Sequence, residues 1–127
     1  MNILLDTHAV LWFLEGSEKM GKVAVDTIHS AENNKYISVA TLWEVAIKLS
    51  IGKMEFEGGI EGFIQSTEDN GFLQLGVSSE HIKRTAGLPF IHRDPFDRML
   101  VAQAMAENMV LMTVDNNILK YDIECIW

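Results

Sequence analysis

The sequence predicts an α/β three-layer sandwich built on a mostly parallel central sheet. Short apolar runs alternate with stretches of helical period along the chain, the pattern of repeated strand–helix units. The runs near the two ends, Asn2-Ile3-Leu4-Leu5 and Met109-Val110-Leu111-Met112-Thr113-Val114, are almost continuously apolar. Strands covered by helices on both faces read that way. A length of 127 residues with 48% apolar composition predicts one domain, residues 1–127, with a real core.

The elements follow in order. Asn2–Leu5 reads as a buried strand ending at Asp6. Ala9–Glu15 reads as a short helix stopped by Gly16. Ser17 is placed to cap a second helix over residues 18–31, with Met20, Val23, Ala24 and Ile28 on one face. Asn33-Asn34 breaks it. Tyr36–Val39 is the second strand, and Thr41-Leu42-Trp43-Glu44 matches a capping box, with an apolar stripe of Leu42, Val45, Ala46 and Leu49 behind it. Residues 60–67 are predicted helical, with Phe63 and Ile64 inward. Phe72–Val77 suggests a third strand. Ser78 or Ser79 caps a helix that ends at Gly87, where Leu88-Pro89 prevents continuation. Residues 95–107 form the clearest helix, with Phe96, Met99, Leu100 and Gln103 or Ala104 inward. Residues 109–114 form the clearest strand, followed by Asp115, and residues 123–127 a final one.

Composition excludes several function classes. No apolar run approaches the roughly 18 residues of a membrane span. No basic residue precedes the first apolar stretch, so no signal peptide is predicted. The one cysteine, Cys125, rules out an intrachain disulfide and a Cys-rich zinc site, and reads as a small apolar residue in the last strand. A cytoplasmic protein is the expectation. Ten basic against eighteen acidic residues give a formal charge of −8. That argues against a generic nucleic-acid-binding surface, which is normally basic. It leaves a nucleic-acid substrate open, because a bound cation would supply positive charge that the count omits.

His92-Arg93-Asp94-Pro95-Phe96-Asp97-Arg98 reads as a helix start. Asp94 suits the N-cap, Pro95 the first helical position, and Asp97 the third, inside the first turn. Four acids then occupy equivalent places. Asp6 and Asp115 follow strands; Glu44 and Asp97 lie in first turns of helices. In an α/β unit, strand C-termini and the next helix N-termini share one edge of the sheet, where binding sites form. Each acid also has an ordinary explanation as a turn residue, a cap or a favourable first-turn charge. All four on one rim would repel, and a divalent cation resolves that repulsion. Carboxylates without Cys or paired His point to a hard ion, Mg²⁺ or Mn²⁺, and hence to phosphoryl chemistry. Thr113 and Thr7 could orient the acids or a water, though a β-former in or beside a strand needs no function. His8 and His92 flank the rim and either could touch substrate. Arg93 and Arg98 could meet phosphate or simply balance Asp94 and Asp97. His29 and His81 read as surface residues, and Trp12, Trp43 and Trp127 as core rather than base-stacking platforms.

The ordered set Leu4-Leu5-Asp6-Thr7-His8, residues 38–44, residues 92–104 and Thr113-Val114-Asp115 resembles a PIN domain of the small bacterial toxin type, a VapC-like ribonuclease. The likeness covers essentially the whole chain. It implies a PIN-like parallel sheet and a Mg²⁺- or Mn²⁺-dependent ribonuclease whose metal site corresponds to Asp6, Glu44, Asp97 and Asp115. It also implies a small antitoxin partner that blocks the site, and homodimerisation. On this reading Asp94 is a cap, or at most supports the ligands from behind. A phosphoryl receiver domain fits less well, since neither Tyr36–Val39 nor Phe72–Val77 ends in Asp. A haloacid-dehalogenase-type phosphatase wants Asp-x-Asp where this chain has Asp6-Thr7-His8. The remaining alternative is a catalytically inactive PIN-fold module that binds or regulates.

Overall fold

A computed structural model describes residues 1–127. Five strands form one sheet: β1 (Asn2–Leu5), β2 (Asn34–Ser38), β3 (Leu73–Leu75), β4 (Val110–Met112) and β5 (Cys125–Ile126). Their order is β3-β2-β1-β4-β5 and every pairing is parallel. The six helices are α1 (Thr7–Glu15), α2 (Lys22–His29), α3 (Val39–Ser50), α4 (Gly59–Asp69), α5 (Ser79–Gly87) and α6 (Pro95–Glu107). A single 3-10 turn covers Ile118–Lys120.

The central strand explains the three layers. Side chains alternate across a strand. Ile3 and Leu5 therefore face one core, with Val10 of α1, Ile28 of α2, Val45 of α3 and Phe63 of α4. Leu4 faces the other, with Leu100, Val101 and Ala104 of α6 and with Ile118 and Tyr121. β4 divides in the same way: Met112 joins the first core and Leu111 the second. Ile3, Leu4, Leu5, Leu111 and Met112 are fully buried, as the continuous apolar runs require. No helix is long and apolar enough to cross a membrane.

Several local expectations change. Ser17 does not cap a long second helix. It closes a turn, accepting from Lys19 N (3.2 Å), and α2 starts only after Gly21. Val23 is consequently exposed, while Met20, Ala24 and Ile28 are buried. α3 begins at Val39, directly out of β2, and its N-cap is Ser38, whose Oγ accepts from Ala40 N at 3.0 Å. Thr41 is thus already helical, and Glu44 lies in the second turn rather than closing a capping box. The capping box belongs to α5. His81 N donates to Ser78 Oγ (3.3 Å) and Ser78 N donates to His81 Nδ1 (3.0 Å). With Nδ1 accepting, Nε2–H donates to Glu107 Oε1 at 2.8 Å. His81 is therefore buried between α5 and α6, not on the surface. Trp43 departs from its core reading: it is 64% exposed and meets Phe96 edge-on. Trp12 and Trp127 are half-buried against the first core.

Gly62 lies inside α4, where alanine normally gains about 1 kcal/mol over glycine. Here an added Cβ would stand 2.2 Å from the Glu57 carbonyl oxygen. Gly62→Ala is expected to lower stability by about 1–3 kcal/mol instead, since relief requires backbone movement. Urea denaturation monitored by circular dichroism measures it; a stabilised variant would show that the α4 entry yields freely.

Candidate metal centre at the sheet edge

Asp6 follows β1 at the C-terminal edge of the sheet. Its backbone N–H continues the ladder to Met112 O at 3.1 Å. Its carboxylate has two fixed partners. Oδ1 caps α1 by accepting from Ala9 N at 2.8 Å, and Oδ2 accepts from Thr113 Oγ1 at 2.5 Å. Thr113 Oγ1 also accepts from Asp115 N at 3.0 Å, so one hydroxyl joins the two acids. Asp115 Oδ1 accepts from Asn117 N (2.8 Å) and Ile118 N (3.3 Å), starting the 3-10 turn. Asp6 is thus a helix cap and Asp115 a turn residue, as their ordinary explanations hold, and both face the same edge.

Glu44 reaches that edge from α3. Oε1 accepts from Thr7 Oγ1 at 2.7 Å, and Oε2 pairs with Lys48 Nζ at 2.8 Å. Thr7 Oγ1 also lies 3.4 Å from Thr41 Oγ1. Asp97 stands in the first turn of α6. Asp94 is the cap: its Oδ1 accepts from Phe96 N (2.9 Å) and Asp97 N (3.0 Å). Asp97 Oδ2 lies 3.4 Å from His92 Nε2, and His92 Nδ1 lies 2.9 Å from Tyr121 OH. His8 is exposed and tilts against Trp12, 5.4 Å between ring centres. Arg98 does not balance Asp94 or Asp97. Its guanidinium donates to Pro89 O (3.0 Å), Thr85 O (3.0 Å) and Tyr121 OH (3.1 Å). Arg93 is exposed on the rim.

The sequence reading missed Lys48 and Tyr121. Lys48 had a signal, since a residue four positions after Glu44 on a helix faces it. Tyr121 had none, because its partners lie more than twenty residues away.

The electrostatics show how close these acids are. Burial raises the pKa of Asp97 to about 7, helped by the charges of Asp94, Asp115, Asp6 and Glu44. Burial also raises Asp6. The hydrogen bonds from Thr113 and Ala9 and the charge of His8 oppose the rise, while Asp115 adds to it. No three His, Cys, Asp or Glu side chains enclose an ion by themselves. The donor chemistry nevertheless fits a hard divalent cation. Mg²⁺ is typically held by one or two carboxylates together with waters and substrate phosphate, not by an all-protein cage.

The raised Asp97 pKa sets a pH dependence. A carboxyl that holds its proton more tightly when folded contributes stability below its unfolded pKa, near 4. That contribution is lost as pH rises through about 7. In chelator, Asp97→Asn is expected to melt above the parent at pH 8, with the gap closing toward pH 5. Because the carboxyl is partly exposed, the gain is set at roughly 1–2 kcal/mol, or several degrees. Thermal melts across that range check it; a lower melting temperature at pH 8 would contradict the repulsion.

Comparison with known proteins follows the same lines. No curated protein matches the sequence. Solved structures do match the fold. The VapBC2 complex of Rickettsia felis bound to a fragment of its promoter DNA has a chain with TM-score 0.76 and 15% identity, covering 99% of this chain and 98% of its own. A toxin–antitoxin complex from Klebsiella pneumoniae has one with TM-score 0.69 and 15% identity, covering 98% and 96%. The PIN domain endonuclease Utp24 has TM-score 0.54 and 17% identity, covering 93% and 74%. The family model described as PIN domain matches residues 3–124, which takes in all four acids and the strands β2, β3 and β4 in full. The chain belongs to the PIN domain family.

Proposed function

We propose that this PIN domain is a divalent-metal-dependent ribonuclease, hydrolysing RNA phosphodiester bonds as the toxin of a toxin–antitoxin pair. The observation that carries the reading is Asp97, a half-buried acid whose ionisation four neighbouring carboxylates oppose. Asp6, Glu44, Asp97 and Asp115 would hold Mg²⁺ or Mn²⁺. The chemistry such an ion supplies when bound is positive charge on the scissile phosphate and a more acidic water.

The chain's own residues orient the acids. Thr113 fixes Asp6 and ties it to the Asp115 backbone. Thr7 and Lys48 hold Glu44. The Asp94 cap fixes the α6 turn that presents Asp97. RNA would approach a chain of formal charge −8, so attraction to its phosphates would fall to the bound cation and local cations such as Arg93.

A small antitoxin as partner accords with neighbours that are themselves toxin–antitoxin complexes, and a second copy in a homodimer belongs to the same proposal. They accord too with a groove of about 660 Å³ beside the site, bordered by the exposed Trp43, Val77 and Ile82. A cytoplasmic setting is part of the same proposal. One observation favours the second reading, an inactive PIN-fold binding module: both Glu44 oxygens are already engaged, by Thr7 and Lys48.

Purified protein is expected to cleave RNA in Mg²⁺ or Mn²⁺ and to stop in chelator, with Asp97→Asn slower by about 100-fold or more. Equal cleavage by both preparations would assign the activity to a contaminant. Titration calorimetry with Mn²⁺ should show weakened binding in Asp6→Asn and in Asp97→Asn. Absent binding together with absent cleavage would establish the inactive module instead.

A further inference from the structure

Behind Asp97 runs a hydrogen-bonded line that joins three separate segments: the loop before α6, α6 itself, and the stretch after the 3-10 turn. Arg98 Nη1 lies 3.1 Å from Tyr121 OH, Tyr121 OH lies 2.9 Å from His92 Nδ1, and His92 Nε2 lies 3.4 Å from Asp97 Oδ2. Tyr121 is buried, and its ring packs edge-on to His92. Arg98 is anchored independently by the carbonyls of Thr85 and Pro89.

The chemistry of the groups fixes the direction of the line. A guanidinium only donates, so Tyr121 OH accepts from Arg98. The phenol proton then has one acceptor in reach, His92 Nδ1; pointed elsewhere it would be buried without a partner. An accepting Nδ1 places the imidazole proton on Nε2, the nitrogen that faces Asp97. The long Nε2 contact is directed by the shorter bond behind it.

We infer that Tyr121 and Arg98 are positioning residues that act through His92: they lock its Nε2–H tautomer and so orient the Asp97 carboxylate. Its consequence for metal binding rests on the proposed metal-site reading; its geometry does not. Groups that orient a ligand from behind are worth about 10–100-fold in metal affinity.

The test has two readouts. In ion-free protein, ¹⁵N NMR of the His92 ring should show the Nε2–H tautomer alone. In Tyr121→Phe, which removes one oxygen and keeps the ring, it should show a mixture. Mn²⁺ affinity by calorimetry should fall about tenfold in Tyr121→Phe while circular dichroism is unchanged. A wild-type Nδ1–H tautomer overturns the inference, whether or not the variant folds. So does a Tyr121→Phe protein with wild-type tautomer and wild-type Mn²⁺ affinity. If Asp97→Asn loses Mn²⁺ binding while Tyr121→Phe retains it in full, the positioning role falls and the metal-site reading stands. If wild type and Asp97→Asn bind Mn²⁺ equally, the metal-site reading falls, and the tautomer readout still decides the hydrogen-bonded line.

Discussion

Carboxylates gathered where a parallel sheet meets its helices oppose one another and lose hydration together, and that tension governs the architecture around them. Ionised acids in a partly dry setting need compensation from hydrogen bonds, opposite charge or a proton. Each acid here is met differently. Asp6 takes Thr113 and the α1 backbone, Asp115 takes the 3-10 turn, and Glu44 takes Thr7 and Lys48. Asp97 receives the least, one long contact from His92, and has a pKa of about 7. The acid with the weakest direct support is the one on which the other charges converge.

Three of the buried hydroxyls at this edge show how little material the arrangement uses. Ser38 caps α3 and thereby sets where Glu44 falls along the helix. Thr7 opens α1 and reaches across to hold Glu44. Thr113 lies just beyond β4 and bonds both acids that follow strands. Each is buried, and each bonds to the local backbone or to an acid, as buried polar groups must.

Much of this was legible in the sequence because it depends on local chemistry. The apolar runs at 2–5 and 109–114, the Asp94-Pro95 start of α6 and its end near Glu107 depend on period and capping, which short windows carry. So did the placing of four acids at one sheet edge, which needs only the alternation of parallel strands and helices. What failed depended on competition or on distant partners. Ser38 and Thr41 both suit a cap, and only the abrupt exit from β2 chooses Ser38. His81 looks like a surface residue, and Arg98 like a phosphate contact or a partner for Asp94 and Asp97, until α5 and α6 are docked, when Glu107 and the carbonyls of Thr85 and Pro89 come within reach. Trp43 has the composition of a core residue, but its turn of α3 faces the groove beside Phe96.

The Thr113–Asp6 bond spans 107 residues and has a consequence for the order of events during folding. β1 and β2 can pair early, but β4 must dock on the other side of β1 before Asp6 gains its hydroxyl partner. On a ribosome, a chain emerging N-terminus first has β1, β2, β3 and all six helices outside before residue 113 appears. Whatever the acids do together is therefore withheld from nascent fragments and begins only when the last strands close the sheet.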